Sequence, residues 1–136
     1  MKRILVSAAH KSSGKTTFAI GLAAWLAARG EVVQPFKKGP DYIDPIWLTL
    51  AAGRPCYNLD PYLSGPDEIR AAFARRMQRL SSPAAGEGRA GGPATFGLIE
   101  GNKGLHDGLD LHGSNSNAAL ALTPGAPVVP VVDARR

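Results

Sequence analysis

The sequence predicts an α/β fold, a parallel sheet flanked by helices. Two observations carry that expectation. Short apolar, strand-like runs alternate with amphipathic helical stretches, and a Gly- and Lys-bearing loop joins the first strand to the first helix. A strand–helix–strand order in a parallel sheet requires a right-handed crossover, and helices normally cover both sheet faces.

Residues 3–9 read as a short buried strand. From Thr16 to Ala28 the chain is rich in Ala, Leu and Ile, with Phe18, Leu22, Trp25 and Leu26 at helical spacing and Gly30 as the stop. Val32 to Phe36 reads as the second strand. Residues 37–65 hold many Gly and Pro and read as loop, with one helical turn over Ile46 to Ala52. Pro66 suits a first helical position, with Asp67 and Glu68 in the first turn and Ile69, Phe73, Met77 and Leu80 on one face. Residues 81–94 are low in complexity and expected to be flexible. Thr95 to Ile99 reads as a third strand ending at Glu100, residues 114–122 as a helix, and Val128 to Val132 as a fourth strand ending at Asp133. Pro130 in a central strand would remove a ladder hydrogen bond. Neither helix nor strand is expected after that strand, so the domain reads as incomplete at its C-terminus or dependent on a partner chain.

A length of 136 residues suits one domain, and 44% hydrophobic with 20% charged residues is ordinary for a globular chain. No apolar run approaches the roughly 20 residues of a membrane span. The N-terminus runs directly into a strand, which leaves no room for a cleaved signal and predicts a cytoplasmic location. The net charge of +5 comes from scattered residues, several placed where small anions would be held, so nucleic acid is not the expected partner. The single cysteine, Cys56, excludes an internal disulfide and a Cys-only zinc site.

Residues 9–16, Ala-His-Lys-Ser-Ser-Gly-Lys-Thr, match the G-x-x-x-x-G-K-[ST] phosphate loop except that Ala9 replaces the first glycine. Gly14 lets the backbone turn close to phosphate, and successive N–H groups at a helix N-terminus attract anions. Lys15 is placed to reach β/γ-phosphate oxygens and Thr16 to coordinate Mg²⁺ through its hydroxyl. Lys11, Ser12, Ser13 and Thr17 complete the ATP-binding loop. Lys11 falls where the deviant Walker A class carries a second lysine, one that would touch phosphate across a homodimer interface. The bland alternative is a Ser/Lys-rich turn without ligand, but the strand-before, helix-after context argues for nucleotide and for a P-loop NTPase-type sheet.

Residues 37–45, Lys-Lys-Gly-Pro-Asp-Tyr-Ile-Asp-Pro, follow the second strand. Ligands in open α/β sheets bind beyond the carboxyl ends of strands. Lys37 and Lys38 could hold phosphate there, and Asp41 and Asp44 could bind Mg²⁺ directly or through water; a turn with solvated charges is the alternative. Glu100 opens Glu-Gly-Asn-Lys-Gly-Leu-His-Asp-Gly at the end of the third strand, where an acidic residue serves the metal.

These blocks, with Asn-Leu-Asp at 58–60 and Gly-Ala-Pro-Val-Val-Pro-Val-Val-Asp at 125–133, occur in an order that resembles the N-terminal synthetase domain of the cobyrinic acid a,c-diamide synthase family, relatives of dethiobiotin synthetase. The likeness covers nearly the whole chain outside residues 81–94. Ile46-Trp47-Leu48 and the Glu-Gly-Asn-Lys-Gly variant look closer to a subgroup directed at sirohaem-like macrocycles. The resemblance implies ATP- and Mg²⁺-dependent phosphorylation of a tetrapyrrole carboxylate, followed by attack of ammonia released from glutamine by a glutaminase domain. It implies that Lys15 and Thr16 hold phosphates and metal, that Lys37 stabilises the transferring phosphoryl group, and that Asp41 and Glu100 are Mg²⁺ ligands. The glutaminase half is absent from these 136 residues, and Cys56, in Arg-Pro-Cys-Tyr-Asn, reads as a packed thiol rather than a nucleophile. Two other readings stand beside this one: a dimeric deviant-Walker ATPase switch, and a non-catalytic nucleotide-binding remnant.

Overall fold

The computed structural model describes residues 1–79 and 92–134. Its elements run β1 (Lys2–Ala8), α1 (Lys15–Ala28), β2 (Val33–Lys38), α2 (Asp44–Ala52), β3 (Tyr57–Leu59), α3 (Pro66–Gln78), β4 (Phe96–Glu100), α4 (Asn117–Leu122) and β5 (Val128–Val131). The five strands form one parallel sheet in the order β3-β2-β4-β1-β5.

Alternation along the strands splits the core between the two faces. Leu5, Phe36 and Ile99 pack with Ile69, Phe73 and Met77 of α3 and with Leu120 of α4. Val6, Val33 and Leu98 pack with Ala23 and Leu26 of α1 and Ala52 of α2. Gly97 is required beneath α3, because a Cβ there would lie 2.9 Å from the Phe73 ring.

The contact face of α1 differs from the expected one. Ala19, Ala23, Leu26 and Ala27 are its buried apolar residues, while Phe18 and Trp25 are exposed. Small side chains let the helix lie close on the sheet, and the bulky ones are left outside; the Arg29 guanidinium covers the Trp25 ring at 4.9 Å.

A fifth strand, β3, sits in the stretch expected to be loop and pairs only with residues 36–38 of β2. That short pairing also explains Pro35 inside β2, since β3 begins opposite Phe36 and asks nothing of residue 35. The expectation of Pro130 in a central strand is corrected: among the described residues β5 is an edge strand paired with β1 alone, and a proline is tolerated there. Most of the 81–94 stretch, and Leu80, lie outside the described residues. No helix among the described residues is long and apolar enough to cross a membrane.

Because all strands run the same way, Ala8, Lys38, Leu59 and Glu100 end at one sheet edge. The loops that follow them gather there and build the site.

Candidate active site

The loop between β1 and α1 turns through two left-handed residues, Ser12 at φ 64° and Gly14 at φ 82°. Gly14 is the residue before the helix, and the first intrahelical bond is Phe18 N–H to its carbonyl at 3.0 Å. The N–H groups of Lys15, Thr16 and Thr17 therefore point out of the helix end without intrahelical acceptors, an anion-binding arrangement. Ser13 Oγ donates to the His10 carbonyl at 2.8 Å and holds the loop in shape. Ala9 keeps a negative φ, so the missing first glycine of the motif imposes no backbone strain. Lys15 is buried, and among the described residues it makes no hydrogen bond or ion pair; burial pushes its pKa down, with Glu100 acting in the opposite sense. Lys11 and Ser12 are exposed on the loop surface.

Beside this loop stands an acidic and basic cluster. Glu100, the last residue of β4, is fully buried. Its Oε1 accepts from the Thr16 hydroxyl at 2.5 Å and lies 3.4 Å from Lys37 Nζ. Lys37 also donates to Asp44 Oδ2 at 2.7 Å and to the Gly101 carbonyl at 3.3 Å, and lies 3.7 Å from Asp41 Oδ2. Thr16 Oγ1 reaches Asp44 Oδ2 at 3.4 Å. Burial pushes the Glu100 pKa up, against the pull of Lys37. Burial alone would lower the Lys37 pKa, but Glu100 and Asp44 outweigh it and hold it above the usual lysine value.

Thr16, Lys37 and Glu100, expected from three separate segments, thus meet. Asp41 sits at their margin: its Oδ1 accepts from the N–H groups of Ile43 at 2.9 Å and Asp44 at 3.2 Å, which fixes the start of α2. Asp44 is the more central carboxylate. The opening block of charged residues suggested both aspartates, and only the helix start decides which one faces Thr16.

These groups suit Mg²⁺, which takes hard oxygen ligands and retains waters and phosphate oxygens. The Thr16 hydroxyl and two carboxylates supply such oxygens, and Glu100 Oε2 is buried with no hydrogen-bond partner among the described residues, which fits a cation or its water. Among the described residues no group of three or more His, Cys, Asp and Glu side chains forms a ready metal cage, so a metal here would rely on nucleotide oxygens. Cys56 is no reactive thiol: burial pushes its pKa up to about 12.

One organising residue went unnoticed in the sequence. Asn117, fully buried at the start of α4, donates to Ser7 Oγ at 3.0 Å and to the carbonyls of Asn102 at 2.6 Å and Gly104 at 2.9 Å, and its Oδ1 accepts from Asn102 N–H at 3.2 Å. It ties the loop after Glu100 to β1. An asparagine at a helix start reads only as a cap, so no local signal marks this role.

The matching family model is described as the CobQ/CobB/MinD/ParA nucleotide binding domain and covers residues 4–128. The chain is 52% identical to a cobyrinate a,c-diamide synthase of Magnetococcus marinus over 98% of its own length and 26% of the relative's. It is 37% identical to a cobyrinate a,c-diamide synthase of Clostridium tetani, over 97% of the chain and 26% of that protein. It is 44% identical to a hydrogenobyrinate a,c-diamide synthase of Mycobacterium tuberculosis, over 97% of the chain and 27% of that protein. The chain therefore spans about a quarter of the length of these curated relatives. With its phosphate loop, parallel sheet and acidic strand end, the chain belongs to the CobQ/CobB/MinD/ParA nucleotide-binding domain family, as the cobyrinate a,c-diamide synthase likeness of its sequence blocks implies.

Proposed function

We propose that the chain is the ATP-binding part of an ATP-dependent ligase that amidates side-chain carboxylates of a tetrapyrrole through an acyl phosphate. The observation that carries this reading is the meeting of Thr16, Lys37, Asp44 and Glu100 beside the open N–H groups of Lys15 to Thr17. The relatives' names supply the substrate class, cobyrinate or hydrogenobyrinate.

A carboxylate is a poor acyl donor, and Mg-ATP supplies the phosphoryl group that turns it into a good one. The chain's part is charge neutralisation and in-line positioning. Lys15 reaches the β/γ oxygens. Thr16 and Glu100, with Asp44 and Asp41 nearby, would hold the metal. Lys37, held between Glu100, Asp44 and Asp41, stabilises the charge on the transferring group. Ammonia then takes the acyl group and phosphate leaves. Its source is a glutaminase domain or subunit, since Cys56 is unsuited to that chemistry. Catalysis by the chain is assigned to a cytoplasmic setting, where ATP and Mg²⁺ are supplied.

The test is amide formation on cobyrinate with Mg-ATP and ammonium, with wild type and Lys15→Ala compared. Amide formation by wild type that Lys15→Ala abolishes is the expected result. Mg-ATP affinity equal in the two proteins would overturn the phosphate-loop assignment. The exposed Lys11 supports a second reading, an ATPase switch that pairs two copies of the chain around nucleotide. That reading predicts a dimer that forms with Mg-ATP and is lost in Lys11→Ala, and no cobyrinate turnover.

A further inference from the structure

Successive residues of a strand face opposite sides of the sheet. At the end of β2 this separates two neighbouring lysines. Lys37 turns to Glu100 and the phosphoryl site. Lys38 lines a cavity of about 180 Å³ formed by the loops after β2, β3 and β4. It is only 6% exposed, yet among the described residues its ammonium makes no hydrogen bond or ion pair. The stem is buried and the ammonium opens into the cavity, where no fixed partner among the described residues meets it. Burial accordingly pushes its pKa down, with Asp60 acting in the opposite sense.

The other polar groups of the cavity sort by whether they are already engaged. Asp60 Oδ1 accepts from Tyr62 N–H at 2.9 Å, and Asp107 Oδ2 accepts from Gly104 N–H at 2.8 Å. Asn115 is buried, and its Oδ1 accepts from Leu109 N–H at 2.7 Å. That bond fixes the amide orientation and leaves both Nδ2 hydrogens for the cavity. Lys103 lies at the rim, held at φ 45°, a left-handed conformation that an L-residue adopts at some cost. One oxygen of each carboxylate is thus tied to a backbone donor, while the donors of Lys38 and Asn115 are open. Pro40, Pro61 and Leu109 give the same cavity an apolar wall.

We propose that Lys38 and the Asn115 amide form a carboxylate-binding subsite, with Lys103 at its rim, that holds a second, non-reacting carboxylate of the substrate while another is presented beside Lys37. The inference rests on the tetrapyrrole-carboxylate reading above for its substrate, since a macrocycle bearing several carboxylates can fill both places at once. The apolar wall suits the edge of such a ring.

The experiment titrates wild type, Lys38→Met and Lys38→Arg with two probes, cobyrinate by calorimetry and citrate by NMR of the backbone amides, both without nucleotide. Mg-ATP affinity is measured in parallel. Methionine keeps the length of the buried stem and removes an unpaired charge, so the fold survives. The expected result is cobyrinate binding weakened about tenfold to a hundredfold in Lys38→Met, the range for a hydrogen bond to a charged group, with Mg-ATP affinity retained and most cobyrinate affinity restored in Lys38→Arg. Citrate that shifts Gly39 and Gly108 in wild type but not in Lys38→Met supports the subsite even if cobyrinate does not bind, and in that case only the tetrapyrrole reading falls. Cobyrinate binding that is equal in wild type and Lys38→Met overturns the subsite and leaves the tetrapyrrole reading standing. Parallel loss of Mg-ATP affinity, or no binding of either probe to wild type, also overturns it.

Discussion

Lys37 Nζ donates to Asp44 Oδ2 at 2.7 Å, so the end of β2 and the first residue of α2 close on one another over Glu100. This contact separates the two aspartates of the Asp-Tyr-Ile-Asp block into different tasks. Asp44 faces Thr16 and Lys37, whereas Asp41 spends one oxygen on the N–H groups that begin α2.

Asp44→Ala is therefore expected to reduce phosphoryl transfer at least tenfold, because it removes the carboxylate that faces Thr16 and orients Lys37. Asp41→Ala should instead lower stability by about 1 kcal/mol, the usual cost of losing such a cap. Urea denaturation and steady-state ATP turnover on both variants check this; equal losses of turnover would contradict the division of roles.

How much of this was legible in the sequence depends on the kind of signal. The phosphate loop, β1, α1 and β4 were legible because motif and apolar period agree over several residues. Glu100 was placed correctly because it ends an apolar run. β3 was not legible, since three residues with Asn58 in the middle, set among Pro and Gly, carry no period. Lys37 and Lys38 read as the start of a loop, yet both are buried strand residues; only the pairing of β2 with β3 and β4 extends the strand that far. Of the bulky residues at helical spacing on α1, Leu22 and Leu26 pack in the core while Phe18 and Trp25 are exposed, because close packing on the sheet selects Ala19 and Ala23. The charged block pointed to Asp44 together with Asp41, but which of the two faces Thr16 depends on tertiary geometry, as does Asn117, which had no local signature.

The raised pKa of Glu100 has a pH consequence. Its folded-state pKa exceeds the unfolded value because burial disfavours the charge. The folded state then holds the proton more tightly, so this group's contribution to stability is present at low pH and is lost as pH rises from about 4 through the folded pKa. Glu100→Gln removes that dependence. Its stability relative to wild type should rise between acid and neutral pH in denaturation series, while ATP turnover falls. A stability difference that is flat across that range would contradict the assignment.

Cys56 should resist alkylation. Burial holds its pKa near about 12, which leaves on the order of one thiolate in ten thousand at about pH 8. Iodoacetamide labelling of the folded chain should be far slower than in denaturant, where the thiol returns to its ordinary value. Native labelling as fast as that of the unfolded chain would show an accessible thiolate and reopen the question of a nucleophile.

Asn117 provides the strictest test of how the site is built. The two hydrogens of its amide nitrogen are shared among three acceptors, Ser7 Oγ and the carbonyls of Asn102 and Gly104. Gly101 is part of the same fit, because a Cβ there would lie 2.7 Å from the Asn117 side chain. The Gly101 carbonyl in turn accepts from Lys37, so the loop and the cluster around Lys37 share a support. Asn117→Asp keeps the shape but replaces the donor by an oxygen that faces two carbonyls. Each buried acceptor left without a donor costs about 1–3 kcal/mol, so the variant should lose several kcal/mol at neutral pH. The introduced carboxyl would be buried among acceptors, which raises its folded pKa above the unfolded value of about 3.9. Its deficit against wild type should therefore be smallest below that value, where the protonated acid donates one bond, and should grow as pH rises. Denaturation at acid and neutral pH reads the difference directly. A variant as stable as wild type at neutral pH would show that the loop after Glu100 is held by something other than this amide.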